Sequence, residues 1–183
     1  AAILQHIYET NRRVASLQST YTHIRTNAFG HESRRLGNIY FVDSTNQLAL
    51  IGTNPKGKDF ITSEGRLHHS IAPITMNVKL KNSSLMRALT HNMLWAVHGE
   101  VQKIIDDNTV DVTITTEGGY YVIRMEARSG FNRGISSIVL KYDTHRCLLQ
   151  YMEMKEAIHV SHVFELGSEV RLNHPIAPEI FKW

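Results

Sequence analysis

The commonest pattern in this chain is alternation with a period of two. Val110, Val112 and Ile114 alternate with Asp111, Thr113 and Thr115. Gly118-Gly119 then supplies a hairpin turn, and Tyr121, Ile123 and Met125 alternate with Val122, Arg124 and Glu126. Downstream, Ile138, Leu140 and Tyr142 alternate with Ser137, Val139 and Lys141. After a turn at Asp143-Thr144-His145, Leu148, Gln150, Met152 and Met154 oppose Leu149, Tyr151, Glu153 and Lys155, and Val160, His162, Phe164 and Leu166 close the series. Upstream, residues 19–26 alternate and are β-branched, and short apolar runs at 39–42, 48–51 and 60–61 are separated by turn residues at 43–46 and 54–57.

Two stretches depart from this rhythm. Ile3, Leu4, Ile7 and Val14 fall on one stripe at helical spacing, and so do Leu85, Met86, Leu89, Met93, Ala96 and Val97. The second helix is predicted over 83–97, with Asn82 or Ser83 as its N-cap and Gly99 as its stop, leaving Asp106-Asp107 in the loop beyond. Nine to eleven half-buried strands with two helices, and no βαβ rhythm, call for an antiparallel sheet. The predicted fold class is mainly β (α+β): a strongly curved antiparallel sheet forming an incomplete β-barrel, covered by an N-terminal and a mid-chain helix. No linker or repeat divides residues 1–183, so a single domain is expected.

Composition narrows the functions. A chain of 183 residues with 42% hydrophobic content supports one substantial core. The formal charge is +3 and the pI about 9.0, but the basic residues come as scattered pairs such as Arg12-Arg13 and Arg34-Arg35, so no nucleic-acid partner is expected. There is no run of eighteen apolar residues. A start at Ala1, without Met or a basic-then-apolar leader, fits a mature or trimmed secreted chain, with its signal peptide absent, as well as a cytosolic one. Cys147, alone of its kind, permits no internal disulfide.

Several chemistries fail on the residues. Residues 52–58, Gly-Thr-Asn-Pro-Lys-Gly-Lys, match the spacing of a phosphate loop, but Asp59 stands where Ser or Thr must ligand magnesium, and the following segment is β-branched rather than helical. Eleven histidines invite a metal, yet His68 and His69 point to opposite faces of a strand, His159 and His162 do likewise, and His91 and His98 lie two helical turns apart. There is no G-x-S-x-G elbow, and Cys147 sits inside a strand pattern. No enzyme, metal or cofactor is expected.

The feature left is softness on the apolar side. Met125, Met152 and Met154 share the inward register of three strands, and Met86 and Met93 share the facing helix stripe. These residues form either an ordinary core or the wall of a lipid pocket. As a pocket, its expected lining is Leu48, Leu50, Met86, Leu89, Met93, Ile123, Met125, Leu140, Met152 and Met154.

Two segments favour the pocket. Gly37-Asn38-Ile39-Tyr40-Phe41, followed by residues 47–61, resembles the "G-x-hydrophobic-x-F … P-x-K … P-x-G" signature of the outer-membrane lipoprotein carrier (LolA) family. Residues 163–183, with Asn173-His174-Pro175-Ile176 and Phe181, look like that family's "N-x-P-I-x-x-x-x-F" close. The resemblance implies a periplasmic carrier, a monomer, that holds the acyl chains of lipoproteins. It would take them from an inner-membrane lipoprotein-releasing transporter to an outer-membrane acceptor. Ala49 stands where that family carries an Arg tying the helical lid to the barrel, so the resemblance does not extend to the latch. The alternative on the same fold is a lipid- or lipoprotein-sensing domain of an envelope regulator.

Overall fold

The computed structural model describes residues 2–62, 66–71, 74–79, 84–128 and 134–182. Strands dominate it. Six follow helix α1 (Ala2–Asn11): β1 (Ser16–Thr26), β2 (Glu32–Val42), β3 (Gln47–Asn54), β4 (Lys56–Thr62), β5 (Arg66–Ile71) and β6 (Ile74–Lys79). Helices α2 (Ser84–Val97) and α3 (Val101–Asn108) come next. The chain then returns to strands with β7 (Val110–Glu117), β8 (Tyr120–Ala127), β9 (Ile135–Asp143), β10 (Leu149–Glu156), β11 (Ser161–Leu166) and the short β12 (Arg171–Leu172).

All pairings are antiparallel, in the order β6-β5-β4-β3-β2-β1-β11-β10-β9-β8-β7, with β12 added beside β1. Among the described residues β6 and β7 do not pair with each other, so the sheet stays open. Joining β1 to β11 brings the two ends of the chain together and lets the sheet wrap one core. The fold class expected from the alternation is therefore observed.

The inward rows can be read across the sheet. Ile123, Leu140, Met152, Phe164, His23 and Arg35 stand side by side on β8, β9, β10, β11, β1 and β2. One step along the strands, Met125, Ile138, Met154, His162, Arg25 and Ser33 form the next row. The helices lie over the apolar part, α2 against β9 and β10 and α3 against β7. Ile7, Leu94, Val97, Val101 and Ile104 pack into the same cluster as the sheet residues. Burying each such side chain stabilises by roughly 1.5–3 kcal/mol.

Several details depart from the sequence reading. Among the described residues there are three α-helices, because residues 101–108 form α3. Val101 and Ile104 bury one face while Gln102 and Asp106 bond to each other outside at 2.9 Å, so Asp106-Asp107 lie on a helix and not in a loop. Eight residues carry too few apolar positions to give a clear periodic signal. Cys147 is not in a strand either. It is buried in the β9–β10 turn at φ 55, where Asn11 Nδ2 donates to its carbonyl at 2.9 Å, and burial pushes its thiol pKa up. A bulge between Leu149 and Tyr151 breaks the expected alternation, so Leu148 and Leu149 are both buried. His98 lies beyond the end of α2 and shares no helix face with His91. Strand β1 begins at Ser16, earlier than residue 19. The expected N-caps at 82 and 83 lie outside the described residues.

Candidate functional site

The ten residues expected to line a pocket come from β3, α2, β8, β9 and β10. Leu48, Leu50, Met93, Ile123, Met125, Leu140, Met152 and Met154 are all buried in one continuous cluster, and Leu89 packs against it partly exposed. The Met86 side chain lies outside the described residues. The structure thus brings nine of the ten together on the concave face of the sheet and on the α2 stripe that covers it. The soft residues concentrate on β8 and β10, where Met125, Met152 and Met154 occupy the two adjacent inward rows.

Sequence reasoning missed that these same rows turn ionisable on their way to β1 and β2. Beyond Met152 and Phe164 stand His23 and Arg35, and beyond Met154 stand His162 and Arg25. His162 Nε2 lies 2.6 Å from the buried Glu156 carboxylate and its Nδ1 3.4 Å from His23 Nε2, making a chain of three side chains on β10, β11 and β1. The His23 ring stacks on Phe164 with centroids 4.1 Å apart and planes 14° from parallel. Burial, followed by the neighbouring His162, pulls the His23 pKa down to about 4. Its imidazole is neutral at pH 7.

Arg35 donates to Asp59 Oδ2 at 3.1 Å. The two are not on adjacent strands, since Arg35 is on β2 and Asp59 on β4, and the side chain crosses β3 at Gly52. A Cβ on Gly52 would sit 2.6 Å from Arg35 Cδ and 2.7 Å from the Pro55 carbonyl, so only glycine leaves this passage. The glycine that imitates a phosphate loop in sequence makes room for a guanidinium. Next to the pair lies Tyr21, only 3% exposed, whose hydroxyl finds no acceptor among the described residues. Burial raises its pKa to about 12.

A cleft of about 280 Å³ opens over His23 and the Arg35–Asp59 pair, lined also by Arg25, Ser33, Arg34 and Pro55. Two further clefts lie on the outward face, around Thr20, Thr22, Asn38 and Glu165, and around Gln18, Tyr40 and Arg171. Among the described residues no three His, Cys, Asp or Glu side chains converge as metal ligands. No described helix is long and apolar enough to cross a membrane.

A second polar cluster fastens the helices at the opposite end of the concave face. His98 Nε2 lies 3.0 Å from the Asp43 carboxylate in the β2–β3 turn, and its Nδ1 is 3.5 Å from Glu100. Lys103 of α3 reaches Glu100 at 2.9 Å, and Arg12, just past α1, donates to the His98 carbonyl. Burial alone would raise the Glu100 carboxyl pKa, but hydrogen bonds from His98 and Lys103 outweigh it and hold it at about 2. Gly99, at φ 72, packs against Asn11, where a Cβ would come within 2.7 Å of Asn11 Nδ2. Ala49 takes no part in this. It is buried on the row opposite Leu48 and Leu50, on β3, which the C-terminal turn (Pro178–Phe181) also contacts, so a side chain there would point away from the helices.

No family model matches the sequence, and no curated protein matches it at the sequence level. The structure does match solved folds along nearly its whole length. A domain from Vibrio parahaemolyticus assigned to outer membrane lipoprotein sorting is 12% identical, with a TM-score of 0.53 over 98% of this chain and 94% of that one. The Mycobacterium tuberculosis lipoprotein LppX is 9% identical, with a TM-score of 0.52 over 96% and 97%. MucB, in its Pseudomonas aeruginosa complex with MucA, is 14% identical, with a TM-score of 0.56 over all of this chain and 60% of that chain. At such identities the likeness concerns architecture alone: the chain carries a divergent LolA-like fold, an open antiparallel half-barrel with helices laid across its apolar side.

Proposed function

We propose that the protein is a periplasmic carrier that binds the acyl chains of lipoproteins between its concave sheet face and α2. The supporting observation is the soft inward surface on β8–β10, where Met125, Met152 and Met154 lie under a helix that offers Met93 and Leu89. Methionine side chains conform to varied apolar partners, as a carrier of many acylated proteins requires. Each methylene transferred from water contributes about 0.8 kcal/mol, so one chain binds without any reacting group or cofactor. Transfer from an inner-membrane transporter to an outer-membrane acceptor then needs only a better apolar site at the receiver.

A native mass spectrum of the protein purified from a periplasmic extract tests this, with adducts of acylated peptide or lipid expected. A bare mass, together with failure of a triacylated peptide to displace N-phenyl-1-naphthylamine, would sink it. The second reading, a sensing domain of an envelope regulator, draws on the match to MucB, a protein solved in complex with MucA. It predicts a stable protein complex, independent of acyl chains, in a cross-linked pull-down.

A further inference from the structure

Along the concave face the inward side chains change character towards one end of the neighbouring strands, at a level that steps from strand to strand. Apolar rows of Phe41 and Ile39 on β2, Leu48 and Leu50 on β3, Ile61 on β4, and Met152 and Phe164 on β10 and β11 give way to Arg35, Asp59, Glu156, His162 and His23. Arg25 lies just beyond, at the rim. A core does not need this. Buried ionisable groups cost several kcal/mol of desolvation each unless they are paired, and apolar side chains of like size would stabilise the sheet better.

The 280 Å³ cleft is itself lined by three arginines and one acid, Asp59. Arg35 is paired with Asp59 at 3.1 Å, Arg34 is 3.6 Å from Glu32, and Glu156 is held by His162. Arg25 has no acid within ion-pair distance among the described residues, yet it stands next to His162 in the row that begins with Met125 and Met154. A second observation is independent of charge. The Tyr21 hydroxyl, buried beside Arg35 and Asp59 next to this cleft, can accept from Arg35 but finds no acceptor among the described residues, so its proton is left for a bound oxygen.

We propose that this cleft binds the anionic head, a phosphate monoester or carboxylate, of an amphiphile whose chain lies along the methionine rows. Arg25 is its main charged contact, with Arg35 and Tyr21 as hydrogen-bond donors. Neighbouring strands are about 4.8 Å apart, so Arg25 on β1 is roughly 10 Å from Met154 on β10, within the length of one lipid head and its first methylenes. The inference rests on the acyl-binding reading and specifies which end of the ligand enters last.

The test is displacement of the neutral probe N-phenyl-1-naphthylamine by dodecanol and by dodecyl phosphate, ligands with the same chain and different heads. Dodecyl phosphate is expected to bind at least tenfold tighter. Arg25→Gln should remove most of that preference and leave the dodecanol affinity unchanged, and Arg25→Glu should reverse it. Arg25 is exposed, so both variants should fold, which thermal unfolding within about 2 °C of the native chain checks. Tyr21→Phe, tested separately, should weaken only dodecyl phosphate.

Equal affinity for the two heads, or an unchanged ratio in Arg25→Gln, overturns the head site while the acyl-binding reading stands. If neither compound displaces the probe, both fall together. Calorimetry with inorganic phosphate separates the lipid head from a free anion: binding as tight as that of dodecyl phosphate overturns the amphiphile assignment.

Discussion

The two ends of the concave face carry the same kinds of residue arranged for different ends. Around His98, the acids and bases come from four separate parts of the chain: Asp43 in the β2–β3 turn, Arg12 past α1, Glu100 past α2, and Lys103 on α3. The His98–Asp43 contact and those of Arg12 with Glu100 and the His98 carbonyl join elements far apart in the chain, while Lys103 and His98 reach Glu100 within the α2–α3 connection. Around His23 the groups all come from strands of one sheet, and apart from the Arg35–Asp59 pair, which crosses β3, their contacts join strands already held by backbone hydrogen bonds. Polar clusters that fasten elements close on themselves, as the first does. A cluster that leaves Arg25 without an acid and the Tyr21 proton without an acceptor is open toward something else.

The largest expected difference comes from removing one member of each. Arg35→Ala breaks a largely buried ion pair beside Tyr21 and should cost about 3 kcal/mol in urea unfolding, because removing one partner of a buried pair is penalised more than losing a surface contact. Glu100→Gln should cost about 1 kcal/mol, since Lys103 and Arg12 are exposed enough to be hydrated instead. A larger loss from Glu100→Gln than from Arg35→Ala would invert the comparison. Gly52→Ala, which crowds the passage of Arg35, should fall between them at about 2 kcal/mol.

The two ends should also titrate apart. The His23 pKa is depressed from 6.5 to about 4, so the unfolded chain takes up the proton first. The stability associated with His23 is complete above pH 6.5 and is lost as pH falls toward 4, by about 3 kcal/mol. The Glu100 pKa is depressed from 4.5 to about 2, so its contribution is present above pH 4.5 and disappears between 4.5 and 2. After allowance for solvent screening that is about 1 kcal/mol. Urea midpoints collected from pH 7 to 2.5 should show both limbs. His23→Phe, which keeps a ring against Phe164, should erase the upper limb alone. The smallest effect belongs to Arg25→Gln, within about 0.5 kcal/mol in stability.

Most of the architecture could be read from period-two patterning because nearly every strand buries one face. The signal weakened where geometry departs from the simple repeat. Leu148 and Leu149 straddle a bulge, and α3 is only two turns long. The apolar half of the concave face was legible for the same reason, as buried methionines announce their side of a strand. The polar half was not. His23, Arg35, Asp59 and His162 occupy inward positions, but a histidine or arginine in an alternating strand looks solvent-facing until pairing sets the register. The arginine pair at 34–35 shows this well: Arg35 is buried while its neighbour Arg34 is exposed.

The crossing at Gly52 also acts on the sheet mechanically. A guanidinium that spans β3 to meet an acid on β4 braces two strands that share no backbone hydrogen bonds. It does so in one alignment only. A two-residue slide of β3 would put Leu50 or Asn54 under the arginine and block the span, although it would leave the apolar side facing inward. Hydrophobic patterning alone tolerates such a slide, so the absence of a side chain at one position works as an alignment pin for this side of the half-barrel.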